Sequence, residues 1–350
     1  MISFAAMNRA LALALILPAG TISPVRAQAP GVPIEERTNP AGQEAILKQA
    51  SRLLEDGKLV PSARLMEQMK KPIPESIILP SARSIPMERQ ALYEVARQSR
   101  LRVGWYYLCT SCQHWHTHFA GGYPLTEDGV IATCEHVVHP PAKMKEGYLI
   151  VLDAEGKVFP VTSIIAANAH RDICLLRAAA GPFRALPLND QVRPGDAAYC
   201  LSDPLGNDGY FSEGIVNRFY RKPGKKATPD EALRLNVSTD WAPGSSGSPV
   251  LDQCGNVIGH VSTISALTGK RGEARPKDAQ RDPQAARPAP PGTQIILHEA
   301  SPSRGVHQMV QAAAEAARKA DPDKSAGSDA GPEEPDTPAP ARDGFPQGPG

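Results

Sequence analysis

Three short segments each combine an apolar run with one side chain suited to nucleophilic catalysis. The first, Gly129-Val-Ile-Ala-Thr-Cys-Glu-His136, follows an Asp-Gly turn and reads as a strand that delivers His136 at its end. The second, Asp172-Ile-Cys-Leu-Leu-Arg177, sets an acid immediately ahead of an apolar strand. The third, Asp240-Trp-Ala-Pro-Gly244-Ser-Ser246-Gly247-Ser248-Pro249-Val-Leu, places Ser246 inside a glycine turn before another strand. A serine hydroxyl is a poor nucleophile near neutral pH and needs a base within hydrogen-bond reach, for which His136 is the candidate. A carboxylate beside the imidazole fixes its tautomer and stabilises the proton it gains, and Asp172 is suited to that task. The oxyanion that develops on attack needs converging backbone N–H groups, which the glycine turn supplies from Gly244 and Ser246.

In this chain order, His, Asp, Ser, the segments resemble the trypsin-like serine peptidases. Ala132 to His136 is similar to the strand end that carries the family's histidine, Asp172 to Leu176 to its Asp strand, and Gly244 to Pro249 to Gly-x-Ser-Gly-Gly-Pro. The stretch from Pro194-Gly195-Asp196 through Pro204-Leu205-Gly206 to Gly214-Ile215-Val216 resembles bacterial periplasmic peptidases of the high-temperature-requirement type. The tract Asn256 to Ser262 also fits the general pattern. The resemblance runs over roughly Pro86 to Ala313 and implies an all-β fold, a double six-stranded β-barrel with the active site in the cleft between barrels. It also implies hydrolysis through an acyl-enzyme on Ser246, a polypeptide substrate and no cofactor. A nucleophile elbow would need Gly-x-Ser-x-Gly with acid and base after the serine; here position 248 is Ser and both come first.

Two departures bear on specificity. Ser248 replaces the family's second glycine, as in the glutamyl endopeptidase branch, where a histidine on the following strand reads an acidic substrate side chain. The matching position here is Val261, while His260 faces the other side of the strand, so glutamyl specificity is not supported. Asp240 lies six residues before Ser246, where trypsin-type enzymes put the acid that selects Lys or Arg. In the competing alignment Thr239-Asp240 is the Thr-Asp of the high-temperature-requirement type, with two residues deleted afterwards, and does not select basic side chains. Asp240 and Ser262 are the candidate substrate-binding residues. The rival reading from another class is a catalytically silent trypsin-like module that binds peptides or a protein partner.

The elements that must position these residues are legible in the texture of the chain. Between about Leu101 and Ser262, short runs rich in Val, Ile, Leu and Tyr are bounded by turn dipeptides, an all-β pattern. Ile46, Leu47, Ala50, Leu53 and Leu54 fit a helix stopped by Gly57, and Leu92, Val95 and Ala96 fit a second opening at Pro86. A strand over Gln294 to Leu297 and a C-terminal helix with Val306, Met309, Val310 and Ala313 on one stripe complete the fold. Residues 1–27, with Arg9, an apolar run from Ala10 to Leu17 and small residues before Ala27, read as a signal peptide, which implies a periplasmic or secreted protein. Residues 28–85 form a helical, proline-containing segment, 86–318 the peptidase domain with a disordered loop over 272–292, and 319–350 a disordered tail. The stretch after Ala313 is too short for the C-terminal peptide-binding domain usual in the high-temperature-requirement branch, so regulation by one is not expected.

Composition sets the outer limits. The chain has 350 residues with 38 Lys+Arg against 37 Asp+Glu, so no strong field draws it to nucleic acid or an anionic membrane, and no later segment is long enough to span one. The 35 prolines are about twice the usual share of 5 per cent and belong mostly to loops and tails. Six cysteines in a disulfide-permissive compartment leave several readings open. Cys134 with Cys174, and Cys200 with Cys254, are candidate pairs. Cys109-Thr-Ser-Cys112-Gln-His114-Trp-His116-Thr-His118 offers either four tetrahedral zinc ligands or a local disulfide or paired structural thiols. The oligomeric state is not legible.

Overall fold

The computed structural model describes residues 40–179, 181, 183–222, 226–268 and 293–320. Two closed barrels of six antiparallel strands each make up the body of the described chain. The first contains β1 (Leu101–Cys109), β2 (Trp115–Pro124), β3 (Val130–Thr133), β4 (Met144–Leu152), β5 (Val158–Asn168) and β6 (Ile173–Ala178), closed in the order β1-β2-β3-β6-β5-β4. The second contains β7 (Ala197–Ser202), β8 (Tyr210–Arg221), β9 (Leu233–Val237), β10 (Pro249–Leu251), β11 (Val257–Thr268) and β12 (Thr293–Pro302), in the order β10-β11-β12-β9-β8-β7. Closure leaves no free sheet edge in either barrel.

Alternating side chains fill each interior. Val103, Trp105, Ile131, Leu149, Val151 and Leu176 pack inside the first barrel, and Ala198, Val216, Leu235, Val250 and Ile258 inside the second. The opposite face of β1 and β4 is also buried, because α1 (Pro40–Glu55) covers it: Ala50 packs with Tyr106, Tyr148, Ile150 and Leu152. That double burial explains why Tyr148-Leu-Ile-Val-Leu152 is apolar throughout rather than alternating. A third cluster joins the barrels, with Tyr123, Leu125 and Leu175 from the first, Leu201, Leu251 and Val257 from the second, and Leu92 of α3 (Arg89–Gln98) and Val306 and Val310 of α4 (Ser303–Ala320).

Several expectations need correction. The second helix opens at Arg89 rather than Pro86, because the Met87 amide donates to the Gln253 carbonyl and keeps 86–88 extended. An unanticipated helix, α2 (Ser62–Met69), buries Leu65 against the first barrel; at eight residues it is too short for a periodic signal. The strand before His136 ends at Thr133, and His136 sits on a 3-10 turn, Glu135–Val138. All six cysteines are free, and Cys134 Sγ donates to the Val261 carbonyl (2.9 Å) instead of bonding Cys174; Cys200 and Cys254 are likewise unpaired. The expected signal peptide over 1–27, the 272–292 loop and the expected 319–350 tail lie outside the described residues, except that Lys319 and Ala320 belong to the end of α4. Among the described residues no helix is long and apolar enough to cross a membrane.

Candidate functional site

Asp172 occupies the turn between β5 and β6 with φ +56°, a left-handed conformation that Asp tolerates better than most residues. The second barrel holds that turn from behind. Arg234 donates to the His170 carbonyl (2.5 Å), the Ser301 hydroxyl to the Arg171 carbonyl (2.7 Å) and His260 Nε2–H to the Asp172 carbonyl (3.0 Å). With its proton on Nε2, buried His260 accepts from the Tyr123 hydroxyl at Nδ1 (3.4 Å), and burial holds its pKa below the ordinary value.

The Asp172 carboxylate is thereby aimed at His136. Its oxygens lie 2.9 and 3.0 Å from His136 Nδ1, the His136 amide donates to Oδ1 (3.2 Å), and the Ser262 hydroxyl donates to Oδ2 (2.5 Å). Burial opposes the charge on Asp172, but the bonds from His136 and Ser262 outweigh it and hold the carboxyl well below the usual carboxylate range. The same His136–Asp172 bond raises the His136 pKa against a smaller opposing effect of burial. A proton on Nδ1 leaves the Nε2 lone pair as the basic site.

Ser246 comes from the loop between β9 and β10. Two of the anchored carbonyls in that loop orient the amides beside Ser246: Pro243 accepts from the Leu205 amide (2.8 Å) and Ser245 from the Ser248 amide (3.0 Å). In a trans peptide C=O and N–H point oppositely, so both anchors turn the following amides, Gly244 and Ser246, away from their anchoring partners. Among the described residues neither amide donates to a backbone carbonyl. Gly244, at φ +103°, and Gly247, at φ +83°, permit the turn; a Cβ on Gly247 would lie 2.3 Å from the Gly121 carbonyl oxygen and 2.4 Å from Thr133 Oγ1. That close approach lets the Gly121 amide of the first barrel donate to the Ser246 carbonyl (2.6 Å).

His136, Asp172, Ser246 and Ser262 line one cavity of about 630 Å³, together with Lys222, Arg234, Trp241, Val261 and Ile264. A second cavity of about 400 Å³ is lined by His136, Gly244 and Ser246 with Tyr107, His118 and Pro141. The candidate base and nucleophile are therefore shared between two adjoining hollows. No hydrogen bond joins the Ser246 hydroxyl to His136 among the described residues, and such pairs are often loose before substrate binds. Asp240 is exposed and does not line the larger cavity, whose wall at that point is Trp241. Sequence reasoning missed His260 and Leu205, whose contacts cross between separate elements. Two Cys/His/acid groups could hold a metal among the described residues: the Cys134, His136, Asp172 group of this site, and Cys109, Cys112 and His116 on the β1–β2 hairpin.

The family described as the trypsin-like peptidase domain matches residues 121–259. Among curated proteins, the chain is 30% identical over 149 residues to the putative serine protease HhoB of Synechocystis sp., covering 41% of this chain and 34% of that protein. It is 28% identical over 163 residues to the putative serine protease HhoA of the same organism, covering 45% and 40%. A probable periplasmic serine endoprotease DegP-like of Brucella suis is 29% identical over 153 residues, covering 42% and 28%. The match thus spans about a third of the length of these relatives. Two closed six-stranded barrels, the trypsin-like peptidase domain match over residues 121–259 and these likenesses together support a trypsin-like serine peptidase similar to HhoA, HhoB and the DegP-like proteins.

Proposed function

We propose that the protein is a serine endopeptidase, periplasmic or secreted, that cleaves extended polypeptides through an acyl-enzyme on Ser246. The observation that carries this reading is the His136 imidazole, gripped at Nδ1 by Asp172 and sharing two cavities with Ser246. In the proposed sequence Ser246 Oγ attacks the scissile carbonyl carbon while its proton passes to His136 Nε2. Asp172 stabilises the resulting imidazolium, and the Gly244 and Ser246 amides receive the oxyanion. Collapse breaks the C–N bond, and His136 returns its proton to the leaving amine. Water, deprotonated by the same nitrogen, then cleaves the acyl ester and restores the hydroxyl. No cofactor enters these steps.

The hollows on both sides of His136 and Ser246 favour internal cleavage, since a substrate chain can continue past the reacting bond in both directions. Ser262 borders the larger hollow and steadies Asp172, and so serves both substrate and acid. Labelling with a fluorophosphonate tests the proposal: one label per chain, on Ser246 and absent from Ser246→Ala, is expected. Labelling that survives Ser246→Ala, or never occurs, would return the protein to the class of silent binding modules.

A further inference from the structure

The β1–β2 hairpin carries a group of ligand atoms that the proposed hydrolysis does not use. β1 ends at Cys109, and the next turn is closed by the Cys109 amide on the His114 carbonyl (3.0 Å) and the Gln113 amide on the Cys109 carbonyl (3.1 Å). Gln113 takes φ +57°, which folds the Cys109-Thr-Ser-Cys112 segment back over the end of its own strand. The Ser111 amide donates to Cys109 Sγ (3.4 Å), a bond that favours the sulfur as a thiolate. From the returning strand His116, paired with Tyr107, brings its Nε2 to 2.9 Å from Cys112 Sγ. Cys109 Sγ, Cys112 Sγ and His116 Nε2 all lie within 4.8 Å of one another.

We propose that this hairpin tip binds one zinc ion through Cys109 Sγ, Cys112 Sγ and His116 Nε2, with water in the fourth position. Zinc–sulfur bonds of about 2.3 Å and zinc–nitrogen bonds of about 2.0–2.1 Å in tetrahedral array separate S from N by about 3.6 Å and S from S by about 3.8 Å. Cys112 Sγ and His116 Nε2 lie 2.9 Å apart and the other separations stay within 4.8 Å, and Cys112 is exposed on a turn, where a small rotation suffices. Two thiolates and an imidazole are a donor set that selects zinc over harder ions. A disulfide between the two cysteines leaves the convergence of His116 without a purpose; a metal accounts for all three. His114, one of the four ligands considered from sequence, uses its carbonyl to close the turn and is not in the group.

The ion would clip the last residue of β1 to the start of β2. The ring of Tyr107, 5.7 Å from that of His116, lines the smaller cavity beside Ser246, so the clip braces one wall of the proposed substrate groove.

The test uses the full chain, made without a polyhistidine tag and purified without reductant or chelator. Elemental analysis should give one zinc per chain. Apo-protein titrated with Zn²⁺ against a chromogenic chelator should bind one equivalent, and Co²⁺ in its place should give thiolate-to-metal charge-transfer absorption. Cys112→Ser, an exposed change, should weaken binding by more than about 100-fold, beyond the roughly 10–100-fold lost with a hydrogen-bond partner behind a ligand. Ser246→Ala should keep the ion, which separates this site from the catalytic one. A Cys109–Cys112 disulfide in the peptide map, no stoichiometric metal, or equal Zn²⁺ binding by wild type and Cys112→Ser would each overturn the proposal.

Discussion

Replacing Asp172 by Asn tests the proposed division of labour most directly, because the substitution keeps the shape and removes the charge. In the present geometry one carboxylate oxygen accepts from the His136 amide and the other from the Ser262 hydroxyl, while both face His136 Nδ1. Whichever oxygen becomes an amide nitrogen, a donor meets a donor, and the amide best satisfies the imidazole by donating to Nδ1. The proton then moves to Nε2, where the Ser246 hydroxyl needs a lone pair. The expected loss in kcat/KM is about 10⁴-fold, or about 5 kcal/mol of transition-state stabilisation. The acid limb of the pH profile should move too. In the wild type the bond to Asp172 raises His136 above its ordinary 6.5, so activity falls as pH drops through that raised value. Without the carboxylate, the lowering by burial is opposed only by the weaker attraction of Glu135, and the midpoint should fall. The assay is hydrolysis of an unfolded fluorescent protein across pH 5–9, with fluorophosphonate labelling rates as a second readout. A loss smaller than tenfold, or a midpoint that rises, refutes the assignment of Asp172.

Removing the hydroxyl in Ser262→Ala should leave the carboxylate more basic and therefore raise the acid-limb midpoint, with turnover reduced by roughly 10-fold through loss of a charge-assisted bond. Asp240→Asn should leave the preference among substrate side chains unchanged in a peptide-library profile, since Trp241 rather than Asp240 forms the cavity wall; a lost preference for Lys or Arg would show otherwise. Gly247→Ala should destabilise the fold by about 2–5 kcal/mol, from left-handed backbone strain and the clash with Gly121 and Thr133, read as a lowered Tm. The Asp172 carboxyl is depressed below its ordinary 3.8, so its contribution to stability is present above that value and lost as pH falls through the folded one; unfolding measured from pH 5 downward should show the decline.

The residues proposed for chemistry were legible because each sits beside a local signal: His136 after an apolar strand, Asp172 before one, Ser246 in a glycine turn. Their supports were not legible. His260 meets the Asp172 carbonyl from 88 positions away, and no local pattern announces that a strand histidine will face a turn in the other barrel. Leu205 contributes only its amide, which any residue but proline would provide. The Cys134–Cys174 pairing fails for a geometric reason: strand alternation does not carry from Cys134 to His136, where the backbone has entered a 3-10 turn. The same rule put His114 beside His116, although β2 begins only at Trp115.

His136 and Asp172 ride on one barrel and Ser246 on the other, joined near the reacting atoms by the Gly121 amide on the Ser246 carbonyl. In the proposed mechanism, the gap that a proton crosses therefore depends on how two cylinders lean on each other. On the proposed mechanism, a variant that shifts the seating of one barrel on the other is expected to change turnover without touching a reactive atom.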